Sequence, residues 1–436
     1  MSEPTTRREF IRQVGAGTAV AAASGAALHA TPARFAAGRV PGANDRVNVG
    51  FVGCGGRMRT HIRHIVERSR TKGDVQAVAV NDIWAKRKQA ARELAGVGER
   101  AVYHDFRELC ARPDVDVVVI SSPDHWHHDH AMAALESGKD VYLEKPMTYT
   151  VEEAKAIAEA VRASGRVLQV GSQYASMDHF WKAKKAIADG LIGQVMWASG
   201  GFGRNRNQRG EWNYPIDSDA TEQTLDWKAF LGSAPDLPFS PERYFRWRKY
   251  WDYSGGIATD LFYHTVSPLL VAIGPEFPAR VTASGGIYMQ KDREVPDTFF
   301  MNVDYPSWTM QLACSVGSGV GAPLVIHGSE GTLFIAEDSE SLDNTEMQVV
   351  PDREYRDAFV KKTGVEVLKI PVQPFTRGTH PHMDNFLESV RTRQPPNLDA
   401  DTGYRAMAAI GMGVAAYRRH QVLFFDGARE RVTDSL

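Results

Sequence analysis

An apolar run, Val47-Asn48-Val49-Gly50-Phe51-Val52, ends in Gly53-Cys54-Gly55-Gly56 and leads into a segment of helical spacing. This strand-turn-helix order limits the possible folds more than any other feature, because it is the setting a dinucleotide pyrophosphate requires. Gly53 permits a tight turn, and Gly55 lets the backbone approach the pyrophosphate, whose charge meets free N–H groups at the start of the next helix. The third glycine position of G-x-G-x-x-G holds Met58, with Gly56 as an extra small residue nearby. About ninety residues later, Leu143-Glu144-Lys145-Pro146 sets an ammonium group where a later strand should end.

The region around these marks alternates apolar and helical segments, as a parallel sheet with crossover helices does. Strands are predicted at 47–52, 75–81, 115–121, 140–143 and 167–170, and helices at 60–69, 85–95, 130–137 and 151–163. From about residue 195 the pattern becomes β-rich, with runs at 195–199, 280–284, 298–305, 309–314 and 324–327. The expected fold is α/β plus α+β. An N-terminal Rossmann doubly wound parallel sheet (45–165) is followed by a domain (166–436) with a large open, mostly antiparallel sheet, covered by helices on one face and free for a partner subunit on the other.

The 436 residues carry a net charge of −2, which gives no electrostatic case for nucleic acid or an anionic membrane surface as partner. Cys54, Cys110 and Cys314 are too scattered for a disulfide framework or a zinc site. Residues 1–38 read as signal and linker. Arg7-Arg8 lie in Thr6-Arg7-Arg8-Glu9-Phe10-Ile11-Arg12, and an uncharged Ala/Gly-rich run from 13 to 28 follows, too weakly apolar for a permanent membrane span. The expectation is export of the folded protein by twin-arginine machinery to the periplasm or another extracytoplasmic space.

Oxidising a secondary alcohol with NAD needs a base for the hydroxyl proton while hydride leaves carbon. Asp260 and His264, four apart, would share one helix face, and His264 is the natural proton acceptor. Asp260 would stabilise the protonated imidazole or bind a substrate hydroxyl, and Lys145 would donate to the reacting oxygen. Asp82, at the end of the second strand, would accept from the adenosine ribose, favouring NAD; Lys86-Arg87 keep NADP open. Four histidines, His125, His127, His128 and His130, invite a metal, but a helix start would scatter their rings and no Cys or carboxylate completes a shell, so none is expected.

Taken together, the glycine turn, Glu144-Lys145-Pro146 and Asp260-x-x-x-His264 resemble the Gfo/Idh/MocA family, named for glucose-fructose oxidoreductase, inositol dehydrogenase and rhizopine catabolism. The resemblance spans nearly the whole chain after the signal. It implies that Ser122, Pro123, Trp126 and His127 form a loop under the nicotinamide, with Glu144 and Lys145 also at the cofactor site. It puts Gln173 and Tyr174 beside the cofactor as candidates to contact the substrate, and it makes His380-Pro381-His382-Met383-Asp384-Asn385-Phe386 a closing helix against the sheet. The family's substrates are mostly sugars, cyclitols and their derivatives, and a homodimer or homotetramer is expected. Aromatic residues crowd 197–253, of which one or two are expected in the pocket; Arg204 and Tyr263 are further candidates for the substrate.

The resulting expectation is a dehydrogenase of a sugar, glycoside or cyclitol hydroxyl that keeps its nucleotide bound outside the cytoplasm. One alternative is an NAD-dependent glycoside hydrolase acting by transient C3 oxidation and elimination, with Tyr263 or Tyr174 as its additional acid or base. A second is a non-catalytic sugar-binding protein.

Overall fold

The structure, a computed structural model, describes residue 38, residues 45–375 and residues 380–435. The twin-arginine segment and the run that follows it lie outside the described residues.

Strands β1 (Val47–Val52), β2 (Val75–Asn81), β3 (Val102–Tyr103), β4 (Val117–Ile120), β5 (Asp140–Glu144) and β6 (Leu168–Gly171) form a parallel sheet in the order β3-β2-β1-β4-β5-β6. Covered on both faces, a strand such as Val117-Val118-Val119-Ile120 has no polar side to show, and all four residues are fully buried. The sheet runs past residue 165, because β6 extends it to Gly171. The order reverses between β1 and β4, and the segments that leave the strand ends there are Gly53-Cys54-Gly55, Asp82, Ser121-Ser122, Lys145 and Ser172-Gln173. In an open α/β sheet a ligand crevice lies at that point.

The second sheet has ten strands. They are β7 (Val195–Gly203), β8 (Arg280–Gly286), β9 (Thr298–Asp304), β10 (Thr309–Ser315), β11 (Leu324–Gly328), β12 (Gly331–Ala336), β13 (Glu346–Pro351), β14 (Leu368–Pro371), β15 (Leu423–Asp426) and β16 (Arg431–Thr433), in the order β14-β13-β12-β11-β7-β10-β9-β8-β15-β16. Only the β7–β10 pair is parallel among these described strands.

Helix Ala400–Arg419 ties the two sheets together, and two glycines allow it to come close. A Cβ at Gly403 would stand 2.6 Å from Val170 of β6, and one at Gly413 only 2.0 Å from the sulfur of Met301 in β9. Helix Pro381–Thr392 packs on the parallel sheet, burying Met383, Phe386, Leu387 and Val390 in one cluster with Val47, Val49 and Phe51. This is the closing helix anticipated from the sequence, and its His382 is structural: Nε2 faces the Val170 carbonyl at 2.8 Å.

Candidate active site

Gly53 has φ 79°, and a Cβ on it would lie 2.8 Å from the backbone nitrogen of Ser122, so the turn at the end of β1 admits glycine only. Helix Gly56–Thr71 then begins with no side-chain cap and no acidic residue in its first turn. Its opening N–H groups, with Arg57 and Arg59 beside them, face a cleft of about 850 Å³. Nothing but Arg87 lies within 4 Å of a Cβ built on Gly55, and nothing at all near Gly56, which leaves room for a pyrophosphate against the backbone. The residues present therefore fit a dinucleotide. Asp82 lines the cleft too, although each of its carboxylate oxygens already accepts a backbone N–H, from Cys54 at 2.8 Å and Trp84 at 2.9 Å.

Lys145, delivered by the end of β5, reaches across to the second domain. Its Nζ donates to the Asp260 carbonyl oxygen at 2.7 Å and to Asp260 Oδ1 at 2.6 Å. Asp260 lies in a π-helical turn, Ala258–Phe262, that runs into helix Tyr263–Ile273 and its first-turn residue His264. Single π turns inside α-helices concentrate at functional sites. Burial opposes ionisation of Asp260, but the charges of Lys145 and Arg248 outweigh it and hold the carboxyl well below the usual carboxylate range. Glu144 is similarly ionised against the penalty of burial, by Arg57 at 2.6 Å and His61 at 2.7 Å, and it serves as the floor of the site. Burial first, and then the Lys145 charge, push His264 well below the ordinary histidine value, so its imidazole is neutral at pH 7. Its Nδ1 lies 3.3 Å from Ser172 Oγ.

Lys145, His264, Gln173, Glu144, Ser122, Pro123, Trp126, Gly53, Gly55, Gly56 and Asp82 thus all line one cleft. Five expected residues do not, and the first is Asp260, which meets the site through Lys145 and Arg248 instead of pairing with His264 or facing the substrate. His127 is buried behind the loop, its two ring nitrogens 2.7 Å from the Pro146 carbonyl and 2.9 Å from that of Ser122; it braces the strand-end loops instead of bordering the cofactor. Tyr263 is fully buried and donates to the Gly403 carbonyl at 2.9 Å, because its helix turns that side toward helix Ala400–Arg419. Tyr174 is buried with its ring 5.0 Å from that of His264, outside the lining. Arg204 is engaged by Glu340 at 2.8 Å. Of the crowded aromatics, Tyr214, Phe230, Tyr244, Phe245 and Trp247 reach the cleft, more than the one or two expected. Among the described residues no group of three or more His, Cys, Asp or Glu side chains is arranged to hold a metal ion. His125 and His130 instead meet Phe230 O and Ser122 Oγ.

Sequence spacing did not reveal three further residues. Trp212 Nε1 donates to Asp260 Oδ2 at 3.0 Å, and Arg248 Nε to Asp260 Oδ1 at 3.0 Å. The only hint of either was the density of aromatic and basic residues in 204–253. Asp124, inside the Ser121–His127 loop, is buried at the cleft wall, where its Oδ2 accepts from Ser254 Oγ at 3.0 Å and Thr259 Oγ1 at 3.1 Å. It joins the first domain to the Gly255-Gly256 turn that precedes Asp260. Burial raises its pKa to about 7, against the pull of Arg248 and Lys145. An acid raised in the folded state contributes stability that is complete below its unfolded pKa and lost as pH rises through the folded one. Asp124→Asn, which keeps the acceptor oxygen without the charge, should therefore gain on the wild type in melting temperature as pH climbs from about 4 to about 7, with a level difference above that. Parallel melting curves across this window would contradict the assignment.

Comparison with known proteins bears on what this cleft belongs to. Residues 47–172 match the model for the oxidoreductase family's NAD-binding Rossmann fold, and residues 237–423 the model for the same family's C-terminal alpha/beta domain. Inositol 2-dehydrogenase of Klebsiella pneumoniae is 32% identical over 180 residues, 41% of this chain and 51% of that protein. Inositol 2-dehydrogenase of Pseudomonas savastanoi is 35% identical over 182 residues, 41% of this chain and 52% of that protein. The chain spans about half the length of the curated relatives it matches. The fold is shared with aldose-aldose oxidoreductase from Caulobacter crescentus complexed with glycerol (TM-score 0.64, 19% identity, 87% of this chain and 100% of that one). It is also shared with levoglucosan dehydrogenase in complex with NADH (TM-score 0.64, 19% identity, 87% and 98%). With both of its domains matched in order, the chain belongs to the Gfo/Idh/MocA family of oxidoreductases.

Proposed function

We propose that the protein is an NAD(P)-dependent oxidoreductase acting on a secondary hydroxyl of a sugar, glycoside or cyclitol, with NAD the favoured nucleotide. The observation that carries this reading is the meeting of Lys145 and His264, from different domains, in the cleft that begins at the glycine turn. An ammonium has three N–H donors. Two are accepted by Asp260, which aims Lys145 and leaves the third for the substrate oxygen. His264, neutral at pH 7, is the proton acceptor. As the hydroxyl proton moves to the imidazole, negative charge grows on the oxygen and the Lys145 N–H bond to it strengthens. A bound nicotinamide supplies the hydride acceptor.

The substrate class is supported by the relatives named above, which act on or are complexed with polyols and sugar derivatives. The glycosidase reading needs a further acid or base, and the two tyrosines considered for it, Tyr174 and Tyr263, are outside the cleft lining. The open face of the large sheet supports a homodimer or homotetramer: Trp197, Phe300 and Phe334 are exposed there, and Trp197 stacks on His327 at 3.8 Å. Twin-arginine export of the folded chain, with its nucleotide already bound, rests on the sequence of residues 6–28.

Three results test the proposal. Denaturing the purified protein should release NAD or NADP, and against sugar and cyclitol panels Lys145→Met should lower kcat by about 10²–10⁴ while retaining that nucleotide. Rates like the wild type's would eliminate the role given to Lys145. Because a base works unprotonated and His264 is depressed below the ordinary histidine value, kcat/KM should stay level as pH falls through about 6.5. An acid limb centred near that value, absent in His264→Gln, would contradict the environment described for this imidazole.

A further inference from the structure

Arg248 is placed with more donors than the protein uses. Its Nε takes Asp260 Oδ1, and its guanidinium lies 4.1 Å from the centre of the Trp247 ring, so its plane is fixed from two directions. The two terminal nitrogens have no hydrogen-bond partner among the described residues, and the side chain, a quarter exposed, lines the cleft beside Lys145 and His264. Asp260 does not require this second cation. Lys145 already meets its Oδ1 at 2.6 Å and Trp212 its Oδ2 at 3.0 Å.

The local charges do not balance. Lys145 and Arg248 share the single carboxylate of Asp260. The neighbouring acids are committed elsewhere: Glu144 to Arg57 and His61, Glu340 to Arg204, and Glu211 to Arg206 at 3.6 Å and Arg204 at 3.7 Å. Asp124, the other carboxyl near Arg248, is held by Ser254 and Thr259 and is at most partly ionised at neutral pH. One positive charge is left over in a recess from which a bound ligand would exclude water, and leaving it unpaired there is costly. A planar guanidinium with both terminal nitrogens open matches a carboxylate, which it grips through two parallel bonds, better than it matches a neutral hydroxyl.

We propose that the substrate is an acidic sugar or polyol, a uronate or aldonate, whose carboxylate is held by the terminal nitrogens of Arg248 beside the reacting hydroxyl. This rests on the oxidoreductase reading and narrows its substrate class. The single surplus charge selects a monoanion over a phosphate dianion.

The test uses the whole purified protein with its nucleotide and matched pairs of probes: glucuronate with glucose, galacturonate with galactose, and gluconate with glucitol, together with glucose 6-phosphate. Calorimetry measures binding, and nicotinamide absorbance measures turnover. The acid of at least one pair should exceed its neutral counterpart by about tenfold or more in affinity and in kcat/KM. Arg248→Gln should remove that advantage, and Arg248→Lys, which keeps the charge without the fork, should fall between. Turnover of the neutral members as good as that of the acids would overturn the carboxylate site and leave the oxidoreductase reading standing. Carboxylate-dependent binding without any nicotinamide signal would uphold the site and remove that reading. Preference for the phosphate, an advantage that survives in Arg248→Gln, or no binding by any probe would each overturn the proposal.

Discussion

The contact between Lys145 and Asp260 is the constraint on which the rest of the site depends. The ammonium leaves the end of a strand in the parallel sheet, and the carboxylate stands on the π turn that opens the second domain's helix Tyr263–Ile273. With both groups largely removed from water, loss of Asp260 would strand the Lys145 charge at a cost of several kcal/mol, whereas loss of Lys145 leaves Asp260 paired with Arg248 at 3.0 Å. The pair therefore fixes the place where the nucleotide half and the substrate half of the cleft meet. Glu144, one residue earlier, is anchored from below by Arg57 and His61 of the helix that starts at the glycine turn, so the pyrophosphate end and the chemical end share one chain of charge contacts.

The remaining charges follow from that arrangement. Burial, reinforced by the Lys145 cation, keeps His264 neutral, which is the state a proton acceptor needs. Asp124 is buried nearby and finds hydroxyl donors on Ser254 and Thr259, so its loop is tied to the segment that presents Asp260. Residues Pro241–Lys249 run along the cleft: Tyr244 meets Arg87 at 2.8 Å toward the nucleotide end, and Arg248 meets Asp260 at the other.

Much of the frame was legible in the sequence, because the features that code for it are local. The apolar runs of the parallel strands, the glycine turn and the helix from Pro381 each obey a short-range rule of burial or backbone freedom. Strand β3 escaped notice because two residues, Val102–Tyr103, carry no periodicity. Lys145, Asp260 and His264 were found from family spacing, but their environment was not. Nothing in the spacing indicates that Asp260 is shared by Trp212 and Arg248, residues 48 and 12 positions away. His127 and Tyr263 misled for the complementary reason: each has a side chain suited to chemistry, and only packing shows that backbone carbonyls consume it.

A double-mutant cycle on kcat/KM with Lys145→Met, Asp260→Asn and their combination tests the central claim most directly, since it measures the coupling and not the residues separately. If the two act as one unit, the loss in the combined variant should fall well short of the product of the single losses, even though Asp260 also holds Arg248. Losses that multiply independently would mean that the contact aiming the ammonium does not govern the reaction.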